Sequence, residues 1–252
     1  MRTLTAQGRG SVPVSYTLDL DSGNAVKLSQ QDGGEAAWMI QQDLGKRVGA
    51  PRGSIEWLEG VAGTLAGIHM DNLGRGAAMP WLPHADAEYW EHIVTRISVD
   101  HFEKAVREDE RFARQFEGIL PRLREAGRVF SRNMAALYQE ADTLTLTHGD
   151  LQSLDGDHVY NVGGKPYIID FGFARYAPLF IDLVDYFAPE QIPLCHRAYA
   201  AEGMELGLKA FEERFRAAYA YPGFIYMFPG IMQWKRGDGR KLEKGLRRIL
   251  DV

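Results

Sequence analysis

The densest run of chemically able side chains lies between His148 and Asp185. His148-Gly149-Asp150 follows Leu144-Thr145-Leu146-Thr147, a strand-like run, and so sets a carboxylate on the loop after a strand. His158-Val159-Tyr160-Asn161-Val162 and Lys165-Pro166-Tyr167-Ile168-Ile169 read as two strands around Gly163-Gly164, and they end in Asp170-Phe171-Gly172. Two carboxylates at the mouths of neighbouring short strands can point into one site. Phosphoryl transfer needs that arrangement: one carboxylate orients the attacking hydroxyl or accepts its proton, and another holds Mg²⁺ against phosphate oxygens. Close carboxylates repel each other unless a cation sits between them, so the cluster itself points to a metal.

Three zones of sequence position these residues. In the first, about residues 1–60, Val14, Tyr16, Leu18 and Leu20 alternate with polar residues at the period of a half-buried strand. Asp21-Ser22-Gly23-Asn24 is turn chemistry, and Ala25-Val26-Lys27-Leu28 is the returning strand of a hairpin. A helix is expected over 35–46, ended by Gly49 and Pro51, and one more strand over 54–58. The second zone, 61–142, is helical by the spacing of Leu65 and Ile68, of Tyr89, Trp90, Ile93 and Ile97, and of Phe112, Phe116, Ile119 and Leu120. Pro121 can open a further helix. After Asp182 the pattern is helical again, with Leu208, Phe211, Phe215 and Tyr219 as an apolar stripe.

His148-Gly149-Asp150-Leu151, Ile168-Ile169-Asp170-Phe171-Gly172 and Asp182-Leu183-Val184-Asp185 together resemble the signature segments of the aminoglycoside phosphotransferase and choline kinase-like superfamily. Leu65-Ala66-Gly67-Ile68-His69 looks like that family's short helix ending in Leu-His. The resemblance implies an α+β, protein-kinase-like fold with a small β-rich N-lobe (1–60), a mainly helical C-lobe (61–252) and the 144–170 region at the cleft. It gives Asp150 the role of catalytic base and Asp170 that of Mg²⁺ ligand. The family usually places a second metal ligand, an asparagine, five residues after the base and just before a strand. Here the loop is about two residues longer. Asp157, which immediately precedes the strand, is the expected second ligand, with Asp155 as its rival. Asn161 has the amide side chain but falls inside the strand.

The first zone supplies the nucleotide-binding parts that the resemblance calls for. Gly8-Arg9-Gly10-Ser11 offers backbone N–H groups to phosphates, because glycine lacks a Cβ. Gly8, Gly10 and Ser11 are the candidates there, although a short Gly-x-Gly alone is also an ordinary turn. Lys27, in Ala-Val-Lys-Leu, matches the kinase lysine that touches the α- and β-phosphates, and Glu35 is the partner that aims it. Taken singly, Lys27 is a solvated strand lysine and Glu35 a carboxylate at a helix N-terminus. The lobe reads as abbreviated, with less strand than usual between Pro51 and a hinge resembling Glu56-Trp57-Leu58-Glu59-Gly60. Asp182 is expected to brace the catalytic loop by accepting backbone N–H bonds. His148 is expected to hold the loop by a hydrogen bond, and His69 to be a packing residue.

Composition narrows the rest. The chain of 252 residues carries a formal net charge of -5, which argues against nucleic acid as main partner. The basic run from Lys235 to Arg248 reads as a solvated helix. The single cysteine, Cys195, excludes an internal disulfide and fits a reducing, cytoplasmic setting. No apolar run approaches the roughly 20 residues of a membrane helix. The activity expected is ATP-dependent O-phosphorylation of a small molecule, first of all an aminoglycoside-like antibiotic. The alternatives are a metabolic kinase for choline, a sugar or an amino alcohol, and a catalytically poor scaffold of the same fold. Glu190, Glu202, Glu205, Glu212 and Glu213 make the region after Asp182 acid-rich, which suits a cationic substrate.

Overall fold

Alternating strands at the start of the chain and long helical stripes after it produce two compact units, 1–48 and 49–252, in a computed structural model. The structure describes residues 2–7, 14–19, 25–30, 54–152 and 158–250, the first three segments as backbone strands. Those segments are β1 (Arg2–Gln7), β2 (Val14–Asp19) and β3 (Ala25–Gln30), an antiparallel sheet in the order β1-β2-β3. The expected hairpin is β2 and β3, with Thr17 opposite Lys27. β1 is a strand that the pattern of the first ten residues did not announce. Its presence puts the Gly8–Ser11 segment between two paired strands rather than before the first one. The helix expected over 35–46 lies outside the described residues.

The second unit opens with a correction. Residues 54–58 are not a strand, and Glu56–Gly60 is not an extended hinge. Both belong to α1 (Ile55–Asp71). Ser54 caps the helix, its side-chain oxygen accepting the Trp57 N–H at 3.1 Å. Trp57, Leu58, Val61, Ala62, Leu65, Ala66 and His69 then repeat at helical period and are all buried. Five residues of apparent alternation are too few to outweigh that stripe. The whole of α1 belongs to the second unit.

The rest of this unit is helical around two short strand pairs. α2 (Ala87–His92) runs through a π-helical stretch, Ile93–Val99, into α3 (Asp100–Glu108). α4 (Glu110–Phe116) and α5 (Leu120–Leu137) follow, with Pro121 in the first turn of α5 as the sequence predicts. β4 (Leu144–Thr147) pairs with β7 (Arg175–Pro178), and β5 (Val159–Val162) with β6 (Lys165–Ile168), all antiparallel. Gly163 and Gly164 turn the second hairpin at φ of 58° and 85°, the left-handed values that a two-residue turn of this kind requires. α6 (Phe180–Tyr186), α7 (Ile192–Ala201), α8 (Leu208–Ala218), α9 (Tyr221–Ile225), α10 (Met227–Lys235) and α11 (Arg240–Leu250) complete the chain.

One continuous core joins these helices. Phe180, Phe187, Phe211, Phe215 and Phe224 are fully buried in it, each contributing about 1.5–3 kcal/mol by leaving water. Cys195 is buried there too, and burial pushes its thiol up to about 12. α9 is held from two sides. The Ser98 hydroxyl leaves the π-helical stretch to donate to the Phe224 carbonyl at 2.6 Å. Gly223 lies so close to α11 that a Cβ there would stand 2.6 Å from the Gly245 carbonyl. This matters because Tyr221 and Tyr226, at the two ends of α9, both reach the loop that follows β4. Among the described residues, no helix is long and apolar enough to cross a membrane.

Candidate active site

β4 delivers the chain to His148, and Gly149 then turns it at φ 78°. Only glycine fits this turn: a Cβ at Gly149 would lie 2.8 Å from the Phe173 carbonyl oxygen. The loop is gripped from beneath by Asp182, which is fully buried on the first turn of α6. Its Oδ2 accepts the His148 N–H at 2.7 Å, and its Oδ1 accepts the Gly149 N–H at 2.8 Å. His69, near the end of α1, donates from Nε2 to Asp182 Oδ2 at 3.0 Å and accepts a hydrogen bond from the Tyr199 hydroxyl at Nδ1, 2.5 Å away. Asp182 therefore has the bracing role expected of it. His69 packs with both ring nitrogens satisfied, which fixes the carboxylate that holds the loop.

Asp185, one turn further along α6, repeats the device. Its Oδ2 accepts the N–H groups of Leu151 at 2.7 Å and Gln152 at 3.0 Å. Its Oδ1 is buried without a hydrogen-bond partner among the described residues. Burial raises the Asp185 carboxyl from 3.8 to about 6, against the lowering effect of the Gln152 N–H and the Tyr226 hydroxyl.

Asp150 sits between these two anchors and is 9% exposed. Its N–H donates to His148 Nδ1 at 3.1 Å, and its carbonyl accepts from His158 Nδ1 at 2.6 Å. His148 in turn donates from Nε2 to the Ile169 carbonyl at 2.7 Å, tying the loop to the residue before Asp170. The Asp150 side chain is oriented by Tyr226, whose hydroxyl donates to Oδ1 at 2.6 Å and lies 3.1 Å from Asp185 Oδ2. Burial and the two neighbouring carboxylates push the Tyr226 phenol far above its ordinary value, so it stays a donor. Tyr221 donates to the Gly149 carbonyl at 2.6 Å. Among the described residues nothing donates to Asp150 Oδ2, so one oxygen of a fixed carboxylate remains for a ligand.

Asp170 follows β6 in the left-handed region, at φ 61° and ψ 64°. Its side chain is 65% exposed and lies 3.8 Å, Oδ2 to Nε2, from His158. Asp150 and Asp170 are thus brought to the same end of the two strand pairs, linked through His148 and His158. Asn161 lies inside β5 as expected, and its side-chain oxygen accepts the Gly164 N–H at 3.0 Å. Lys27 lies mid-strand in β3. Gly8, Gly10, Ser11, Glu35, Asp155 and Asp157 lie outside the described residues. Sequence reasoning missed Tyr226, Tyr221 and the side chain of His158. No local pattern marks the tyrosines. His158 had one available signal, its place at the opening of the strand that leads to Asp170.

Among the described residues, then, a carboxylate with one oxygen tied and the other without a donor lies near a second, exposed carboxylate, an arrangement that phosphoryl transfer to a hydroxyl can use. The profile of the phosphotransferase enzyme family matches residues 1–220, and the chain belongs to that family. It is a small-molecule phosphotransferase. No curated protein sequence matches it. Among solved structures it is similar to choline kinase from Cryptosporidium parvum Iowa II, with a TM-score of 0.63 at 10% identity over 98% of this chain and 87% of that one. It is also similar to an ethanolamine kinase of Plasmodium vivax, with a TM-score of 0.60 at 11% identity over 98% and 80%. A third similar structure is the GDP and kanamycin complex of APH(2")-IIia, with a TM-score of 0.53 at 15% identity over 99% and 92%. These likenesses establish the protein-kinase-like fold expected from the motifs.

Proposed function

We propose that the chain transfers the γ-phosphate of ATP to a hydroxyl of a small molecule, with Asp150 as the base. The observation that carries the reading is an Asp150 whose Oδ1 is tied by Tyr226 at 2.6 Å and whose Oδ2 meets no donor among the described residues. A carboxylate is a weak base against an alcohol. It orients the hydroxyl first and takes its proton late, once bond formation has acidified it. Positioning is therefore most of what it must supply, and the bonds from Tyr226, His148 and His158 supply that rigidity. Asp170, with Asp157 or its rival Asp155, would hold Mg²⁺. The chemistry of the donor set fits, because Asp170 presents an exposed carboxylate, the kind of oxygen ligand that Mg²⁺ takes. When bound, Mg²⁺ neutralises charge on the β- and γ-phosphates. Lys27, aimed by Glu35, would contact the α- and β-phosphates, and Gly8, Gly10 and Ser11 would lie over them.

For the acceptor, an aminoglycoside-like antibiotic is the first substrate class to test, and its setting would be cytoplasmic. Choline and related amino alcohols are the second, favoured by two observations. The TM-scores to the choline and ethanolamine kinases exceed that to the kanamycin complex. Part of the acid-rich surface is already neutralised, since Glu212 pairs with Arg216 and Glu213 with Lys209. The test is Asp150→Asn, assayed against a panel of both classes with ATP and GTP. Turnover should fall by about 10²–10⁴-fold, the usual share of a general base. Mg·ATP affinity by calorimetry should persist, with circular dichroism unchanged. Near-wild-type turnover in that variant would remove Asp150 from the base role.

A further inference from the structure

His158 faces two functional groups at once. Its Nδ1 lies 2.6 Å from the Asp150 carbonyl oxygen. A carbonyl only accepts, so Nδ1 carries a hydrogen, and the neutral ring has its lone pair on Nε2. That nitrogen lies 3.8 Å from Asp170 Oδ2, too far for a hydrogen bond. The ring has little freedom to swing elsewhere. The His158 N–H donates to the Leu151 carbonyl at 3.0 Å, its own carbonyl accepts from Ile169 at 2.9 Å, and its ring lies 5.4 Å from that of His148. Asp170, the one non-glycine residue with positive φ among those described, has its backbone in the left-handed region, and its carboxylate faces the ring. Two bonds of about 2.0–2.2 Å span roughly 3 Å when at right angles and about 4.4 Å at most, so one cation bridges the observed gap.

Resting on the reading above that Asp170 holds the divalent cation, we infer that His158 Nε2 is a further ligand of that same ion. The site then differs from an all-oxygen one in a chemically legible way. Imidazole nitrogen favours first-row transition ions over Mg²⁺, so the chain should prefer Mn²⁺ by more than oxygen ligands alone would give. The Nδ1 bond to the Asp150 carbonyl becomes the outer contact that sets the ring's tautomer, and it couples the metal ligand to the base through one side chain.

The test loads the full chain, made with isotope-labelled histidine, with Mn²⁺ and ADP, and reads the nuclei bonded to Mn²⁺ by pulsed EPR. The expected result is a histidine-nitrogen coupling that changes with the label. In His158→Asn the coupling should vanish, and Mn²⁺ affinity should fall at least about tenfold, the low end of what losing even an outer partner costs. Mg²⁺ affinity should change less. Asparagine still offers an N–H to the Asp150 carbonyl, so a ring that only ties the loop would leave the metal preference unmoved. The labelled wild type decides the question even where the variant fails to fold. Bound Mn²⁺·ADP without histidine coupling overturns the inference and leaves the phosphotransferase reading standing. No binding of Mn²⁺·ADP by the wild type overturns both.

Discussion

Raising the pH from about 4 to about 8 should weaken the folded second unit through Asp185. Its carboxyl is 1% exposed and is raised from 3.8 to about 6, chiefly by burial. The unfolded chain returns it to the ordinary value. Between those two values the folded state binds the proton and the unfolded state does not, so stability falls as pH rises. The contribution is complete below about pH 4 and gone once the pH has passed through about 6. The gap from 3.8 to about 6, at about 1.36 kcal/mol per pH unit, is about 3 kcal/mol. Asp185→Asn cannot titrate, yet its amide oxygen can still accept from Leu151 and Gln152. Urea unfolding of both proteins across this pH range reports this group together with its coupling to Asp150 and Asp182, because titrations away from the loop are common to both. Wild-type stability minus variant stability should drop by about 3 kcal/mol over the window. A difference that stays flat would mean that the N–H groups and the Tyr226 hydroxyl fully offset burial, and the reasoning would fail.

Tyr226→Phe removes the donor from Asp150 Oδ1, so turnover should fall about 10–100-fold with little change in the KM for ATP. The same variant loses one of the groups that lower Asp185, so the pH-dependent drop above should grow, which unfolding curves will show. Gly149→Ala puts a Cβ at φ 78° and 2.8 Å from the Phe173 carbonyl, so thermal unfolding should report a loss of about 2 kcal/mol or more, with activity reduced as Asp150 shifts. Lys27→Ala should raise the KM for ATP or lower kcat, with an unchanged circular dichroism spectrum. Unchanged kinetics there would assign Lys27 to a solvated strand position.

The elements that were legible before any coordinates are those whose partners are close in sequence. The β2–β3 and β5–β6 hairpins carry both the alternation and the turn chemistry that pair them, so a window of a dozen residues contains the whole cause. β1 has no such window: Arg2-Thr3-Leu4-Thr5-Ala6-Gln7 is mostly polar, and its strand state comes from β2 beside it. The start of α1 reads as a strand for the opposite reason: residues 54–58 form a short apolar run after Gly49 and Pro51, and the helical stripe that includes them needs ten residues to declare itself.

The site divides in the same way. Asp150, Asp170 and Asp182 stand in short motifs, and two of their partners, His148 and His158, lie within a few residues of the base. The groups that complete the geometry come from far away: Tyr226 is 76 positions from Asp150, Tyr221 is 72 from Gly149, and Tyr199 is 130 from His69. A tyrosine on a helical stripe looks the same whether its hydroxyl meets water or a carboxylate. Only the packing of α9 against the π-helical stretch and α11 decides which. Motifs therefore name the groups proposed to do the chemistry. The restraints that hold those groups still came from tertiary contacts, and restraint is what a weak base such as Asp150 depends on.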